Sequence, residues 1–149
     1  MAWKRNEILS RLAEVLGGIS GVEFERNRLL TTDKRPAILL LDSDEVAERA
    51  AFNRGRPSNA PNLVVMTPEI YVYLKNVKPI NETVGEQLND LGAKVIKAIL
   101  NDAQLNELVG GNGEIRYEGF TTDLGEDRTI EGKARVVVSF VYVIRPNEL

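Results

Sequence analysis

Residues 134–144 read A-R-V-V-V-S-F-V-Y-V-I, and the fold is best inferred outward from this stretch. It is mostly β-branched and aromatic and contains no glycine or proline, a composition that favours a strand over a helix. Alternation places on one face the side chains of Val136, Val138, Phe140, Tyr142 and Ile144. The other face is also apolar over the second half. A strand of this kind needs neighbours on both sides, so we expect it at the centre of a sheet, with residues 134–135 running toward solvent.

Hydrophobic periodicity and turn residues predict the other elements. Helices are predicted at 6–16, 44–52 and 103–108, together with a long helix of about 17 residues that starts at the capping pattern 83–86. Asn101-Asp102 is predicted to be a break after the long helix and a new cap for the helix at 103–108. Strands are predicted at 22–27, 36–41, 113–122 and 63–74, the last interrupted at Thr67-Pro68 by a bulge or an edge position. Residues 29–34 are predicted as a turn and 53–62 as a loop. The expected fold is α+β, with a single mixed, largely antiparallel sheet of about five strands and a short N-terminal and a long helix packed on it.

Length and composition indicate one ordinary globular domain covering residues 1–149. The net charge is −3 and the pI is near 5.2, which argues against a surface devoted to nucleic acid or acidic lipid. The chain has no cysteine and no histidine, so disulfides, thiolate chemistry and imidazole ligands or bases are excluded. We expect no cofactor and no catalytic set.

The sequence contains no apolar run long enough to cross a bilayer. Residues 1–20 form an amphipathic pattern that includes Glu7 and Glu14, unlike a secretory signal peptide. We therefore expect a soluble protein that is made in the cytoplasm and has no membrane partner.

A cluster of acidic residues, Asp42-Ser43-Asp44-Glu45, follows the predicted strand at 36–41. Converging carboxylates at a strand end can hold a divalent cation, so Asp42, Asp44 and Glu45 are candidates for a metal-dependent phosphodiesterase. The alternative is that Asp42 or Ser43 caps the helical segment predicted at 44–52. We favour the cap, because no second carboxylate cluster is placed to complete a ligand set.

Three regions are candidates for partner contacts. Trp3 lies beside Lys4 and Arg5, and one tryptophan can anchor an interface or pack on its own domain. Arg54 and Arg56 lie in the loop at 53–62, where a solvated loop is the alternative. The charged connection at 121–133 carries the remaining candidates, Asp123, Glu126, Asp127 and Glu131. Phosphate-binding glycine motifs and a nucleophile elbow are absent from the sequence.

The order of elements and several short motifs resemble one family. The motifs are R-P-A-I-L-L-L-D at 35–42, the proline-interrupted strand at 64–74, A-I-L-N-D-A-Q-L-N-E-L-V-G at 98–110, N-G-E-I-R-Y-E-G at 112–119 and V-Y-V-I-R-P at 141–146. This pattern, which covers nearly the whole chain, resembles the tail terminator (tail completion, minor tail) proteins of long-tailed bacteriophages. The loop at 53–61 has no counterpart in it.

The resemblance implies a structural virion protein rather than an enzyme. Such a protein forms a homo-oligomeric ring, typically a hexamer, on the finished end of the tail tube, stops tube polymerisation and provides the surface for head attachment. The implied partners are other copies of the chain, the tail tube protein and a head–tail connector protein, while DNA passes through without specific binding. Alternatives are another head–tail adaptor, the phosphodiesterase described above and a host regulatory or binding domain.

Overall fold

The structure is a computed structural model, and it describes residues 3–28, 36–48, 60–74, 84–123 and 132–149. The fold is mixed α+β, as predicted. Its helices are α1 (Lys4–Gly17), α2 (Val84–Leu100) and α3 (Ala103–Val109), followed by a 3-10 turn at Pro146–Glu148. Its strands are β1 (Glu23–Arg26), β2 (Ala37–Leu41), β3 (Glu45–Ala47), β4 (Asn62–Met66), β5 (Glu69–Leu74), β6 (Glu114–Asp123) and β7 (Gly132–Ile144).

The described strands form one sheet of seven, so the prediction of about five strands is wrong, and the register shows why. β4 and β5 lie end to end along β7. Met66 pairs with Phe140 and Ile70 with Val136, so Met66 and Ile70 are separated by as many residues as Phe140 and Val136, and neither segment has an extra residue. The break at Thr67-Pro68 is therefore neither a bulge nor an edge position. It is an interruption inside the sheet, because proline has no N–H to contribute to the ladder.

β2 and β3 are also collinear, and they pair with the edges of β5 and β4 that face away from β7. Leu41 pairs with Glu69 and Glu45 with Met66, so residues 42–44 carry one residue more than the facing segment. The sheet consequently has five rows of backbone, of which two are each broken into two strands. Only β1 and β2 pair in parallel; the other described pairs are antiparallel.

The helix predicted at 44–52 is wrong where the structure describes it, because Glu45–Ala47 is strand β3. Val46 and Ala47 pair with Val65 and Val64 of β4. This non-local pairing outweighs the weak local preference for a helix. Residues 49–52 lie outside the described ranges, as do the predicted turn at 29–34, the capping residue Thr83 and most of the predicted loop at 53–62.

The central position of β7 is confirmed, since it pairs with β6 along one edge and with β4 and β5 along the other. The prediction that its first end runs into solvent is wrong. Ala134 is 1% exposed and pairs with Val72 on one side and Thr122 on the other. Both flanking strands are long enough to cover this end.

The three α-helices pack on one face of the sheet and enclose the core. This core contains residues from the helices and every second residue of the central strands, including Ile8, Leu12, Leu88, Ile99, Ile70, Val72, Val136, Val138 and Phe140. Gly92 of α2 lies so close to Phe120 of β6 that a Cβ would collide with the ring. The predicted break between α2 and α3 is confirmed: the Asp102 side chain caps α3 by accepting a hydrogen bond from the Leu105 amide at 2.9 Å.

β6 carries a bulge at Glu118, between the pairs Tyr117–Val138 and Gly119–Val137. Because of this extra residue, Phe120 lies on the same face as Ile115 and Tyr117, although its spacing from Tyr117 is odd. Ile115 and Phe120 pack against the core, whereas Tyr117 is 50% exposed.

Candidate assembly surface

The sheet has a second apolar face, which we call the outer face: the face of β2, β5 and β7 opposite the helices. Its residues alternate with those of the core, and Ala37, Leu39 and Val141 are buried there without belonging to the core cluster. The sequence predicts this face from the apolar residues on both sides of β7.

Two tyrosines and two cations meet on the outer face where β5 pairs with β7; we call Tyr71, Tyr73, Lys133 and Arg135 the outer-face cluster. Tyr71 is the register partner of Arg135, and Tyr73 that of Lys133. The Lys133 ammonium lies 4.7 Å from the centre of the Tyr71 ring and 5.9 Å from that of Tyr73. These are distances at which a cation is attracted to an aromatic ring.

Glu69 contributes a carboxylate on this face. Its Oε1 accepts a hydrogen bond of 3.0 Å from the Tyr71 hydroxyl. Burial and this hydrogen bond to Glu69 raise the pKa of Tyr71 above its ordinary value, so the tyrosine stays neutral and keeps donating. Lys133 and Arg135 make no ion pair with the side chains that the structure describes, which do not include that of Asp123.

Arg135 is in an unusual state for a partly buried arginine. Its Nε is shielded from solvent and has no hydrogen-bond partner, and in the described part of the chain it is the one buried side-chain nitrogen or oxygen of this kind. No residue of this cluster was predicted from the sequence to be functional. Alternation within 69–74 and 132–136 gave a signal for the face, but the register that joins the two strands is not readable from the sequence.

Strand β6 forms the edge of the sheet next to β7, and within the described ranges its other edge pairs with no strand. Of its ten residues, Glu114, Arg116 and Tyr117 have side chains that are exposed to solvent. Behind it, Ser139 of β7 is buried and donates a hydrogen bond of 2.9 Å to Glu118 at the bulge, and its hydroxyl also lies 2.8 Å from that of Thr67. The bulge is thereby tied to the proline interruption two strands away.

The carboxylates at 42–45 do not converge on a common point. Asp42 accepts two hydrogen bonds from Arg26, at 3.0 and 2.9 Å, and its amide donates to Asn27 at 2.9 Å. Burial raises the pKa of Asp42, but the bonds from Arg26 and Asn27 outweigh burial and leave the pKa below its ordinary value. Glu45 accepts a short hydrogen bond from the buried hydroxyl of Tyr142. Among the described residues no group of three potential ligands could hold a metal ion.

The structure places two of the seven predicted contact residues. Trp3 is the N-cap residue of α1, its carbonyl accepts from the amides of Asn6 and Glu7, and its side chain is 36% exposed. Asp123 ends β6 opposite Lys133; its side chain is not described. The other five, Arg54, Arg56, Glu126, Asp127 and Glu131, lie outside the described residues. Trp3 and the end of β6 thus belong to different parts of the fold.

A shallow groove of about 550 Å³ lies between the start of α1 and α3, and its lining is Lys4, Ala103, Gln104, Glu107 and Leu108. Both polar and apolar atoms face it, without a concentration of titratable groups. None of the helices in the described ranges has the length and hydrophobicity needed to span a bilayer.

No protein-family model matches the chain, and the comparison with curated proteins finds no match. Among solved structures, the chain is similar to a sheath/tube terminator of an extracellular contractile injection system, PVC, determined by cryo-EM in the extended state. The TM-score is 0.43 and the sequence identity 15%. The alignment covers 93% of this chain and 55% of that chain, so this chain spans about half the length of the PVC terminator.

Proposed function

We propose that this chain is a structural protein of a long phage-type tail, namely a tail terminator. It forms a homo-oligomeric ring, hexameric in the family that the sequence resembles, at the end of the tail tube. The ring stops polymerisation of the tube and presents a surface to a head–tail connector protein. The protein accordingly resides in the tail of the virion and is not an enzyme.

The observation that carries this proposal is the open edge of β6. A ten-residue edge strand presents backbone donors and acceptors to another chain, and in a ring each copy offers this edge to a different surface of the next copy. The opposite side of the sheet ends in the much shorter strands β1 and β3. Two unlike edges suit head-to-tail contacts that close into a ring, with a second copy of this chain as the neighbour.

The internal partners of Asp42 and Glu45 also favour a structural role over the phosphodiesterase alternative. Both carboxylates are occupied by Arg26 and Tyr142, respectively, and freeing them for a cation would break those bonds. The proposal further assigns Asp123, Glu126, Asp127 and Glu131 to contacts with the tube or with neighbouring copies. An acidic lumen would let DNA pass by like-charge repulsion.

The test adds purified protein to tube protein during polymerisation and measures tube length by electron microscopy. Wild-type protein should shorten and end the tubes, and a variant with Asp123→Asn, Glu126→Gln, Asp127→Asn and Glu131→Gln should not. A matched control neutralises four exposed carboxylates on the helices, at Glu7, Glu86, Asp90 and Glu107. It should act as wild type. Unchanged tube length with the wild type, or binding only to connector-side proteins, would contradict the proposal and favour the adaptor alternative.

A further inference from the structure

We propose that the outer-face cluster is a docking site for a carboxylate side chain on an acidic segment of a partner protein, with Arg135 as the main donor. The inference does not rest on the tail-terminator proposal, because the cluster would bind such a segment from any protein that reaches the outer face.

The first argument is the state of Arg135. A buried donor without an acceptor is destabilising, and more so when it is charged, so such groups are rare in folded proteins. The Nε of Arg135 is such a donor. An incoming carboxylate would supply the missing acceptor, and the free energy recovered would favour binding.

Two other partly buried arginines of the same chain show what this side chain does when an acceptor is present. Arg11 holds Asp102 through Nε at 3.0 Å and Nη2 at 2.7 Å. Arg26 likewise donates to Asp42 through Nε at 3.0 Å and Nη2 at 2.9 Å. The planar guanidinium matches the two oxygens of a carboxylate, and the Nε of Arg135 lacks the acceptor that the Nε of Arg11 and that of Arg26 have.

The second argument is the fixed position of Lys133. Its ammonium lies over the rings of Tyr71 and Tyr73, which holds it two residues from Arg135 on the same face of β7. The nearby Glu69 forms no ion pair with either cation, and its Oε1 accepts a hydrogen bond from the Tyr71 hydroxyl. Two cations beside each other on one face attract a negative group.

The surroundings favour a carboxylate on a protein over the phosphates of a nucleic acid. Leu39 is the register partner of Tyr71, and Val137 follows Arg135 on the same face, so the cluster is bordered by apolar side chains. These suit a segment in which aspartate or glutamate stands next to apolar residues. A polyphosphate backbone would instead face a chain with a net charge of −3.

The test measures the anisotropy of a fluorescein-labelled peptide, acetyl-Leu-Glu-Glu-Leu-amide, titrated with the full-length protein. The same peptide with glutamine in place of glutamate is the ligand control. Arg135→Met keeps the apolar part of the side chain and removes the guanidinium group, and it should weaken binding about tenfold or more. Arg135→Lys should retain only part of the affinity, because lysine lacks the two parallel donors of the guanidinium group. Lys133→Gln should have a smaller effect than Arg135→Met.

Arg116→Gln is the matched protein control, since it removes one arginine from an exposed position on β6 and should leave peptide binding unchanged. Thermal unfolding supplies a second measurement: the glutamate peptide should raise the Tm of wild type but not that of Arg135→Met. The proposal is overturned by equal binding of the glutamine peptide, by retained affinity in Arg135→Met, by no binding at millimolar concentration, or by tighter, Arg135-dependent binding of oligothymidylate, which would indicate a phosphate site.

Discussion

Arg11 of α1 binds both carboxylate oxygens of Asp102, the residue that caps α3. The two hydrogen bonds, from Nε and Nη2, measure 3.0 and 2.7 Å, and the same carboxylate accepts from the Leu105 amide at 2.9 Å. One side chain thus joins the first helix to the third across 91 positions of sequence. The contact holds α3 at the end of α2, next to the sheet.

Replacement of Asp102 by alanine should destabilise the protein. Loss of the cap alone costs about 0.5–2 kcal/mol, and the bonds to Arg11 are lost with it. Asp102→Asn retains an acceptor for the Leu105 amide and should therefore fall between wild type and alanine. Urea denaturation measures the stability of wild type, Asp102→Ala and Asp102→Asn. The control is Glu107→Ala on the exposed side of α3; an Asp102→Ala midpoint equal to that of this control would contradict the structure.

Stability should decrease at acidic pH, partly through Asp102. The hydrogen bond from Arg11 lowers the pKa of Asp102 below its ordinary 3.8, against the effect of burial, and the Leu105 amide lowers it further. Because the pKa of the folded state lies below that of the unfolded state, this stabilisation is complete well above pH 3.8 and is lost as the pH falls through the folded-state pKa. Asp42, whose pKa is also lowered, acts in the same direction. Urea midpoints between pH 6 and 2.5 should fall less steeply for Asp102→Asn; parallel curves would refute this assignment.

A methyl group at Gly113 should be poorly tolerated. A Cβ there would meet the backbone carbonyl oxygens of Val109 and Val141 at distances that real Cβ atoms do not show, so backbone must move. We expect Gly113→Ala to cost about 1–3 kcal/mol or more, as overpacking does. Gly111→Ala, where nothing lies within 4 Å of the added atom, is the control and should be neutral or slightly stabilising. Equal midpoints for the two variants would show that the turn has another conformation.

The hydrogen bond between Tyr142 and Glu45 should couple β7 to β3. Tyr142 is fully buried, so removal of Glu45 leaves a buried hydroxyl without its acceptor, whereas Tyr142→Phe removes the hydroxyl itself. We therefore expect Glu45→Ala to cost more than the same change made in a Tyr142→Phe background. A double-mutant cycle should give a coupling of about 1 kcal/mol, and additivity would argue against the contact.

The parts of the fold that depend on local chemistry were predictable from the sequence. The alternation in 134–144 identified the central strand, and Asp102 after Asn101 identified the break between two helices. Such features are set by a few neighbouring residues.

The parts that depend on distant residues were not predictable. Residues 45–47 are a strand because β4 lies beside them, and Ala134 is buried because β5 and β6 extend past it. The outer-face cluster needs the register that sets Tyr71 against Arg135 and Tyr73 against Lys133. Residue patterns show which faces are apolar, but the pairing of strands decides which charges meet.

The most direct test of the proposed function is electron microscopy of the purified protein mixed with finished tail tubes. A closed ring of this chain on one end of each tube, with six copies in the ring, is the expected image. Bare tube ends, or protein bound along the tube wall instead of at its end, would contradict a terminator role.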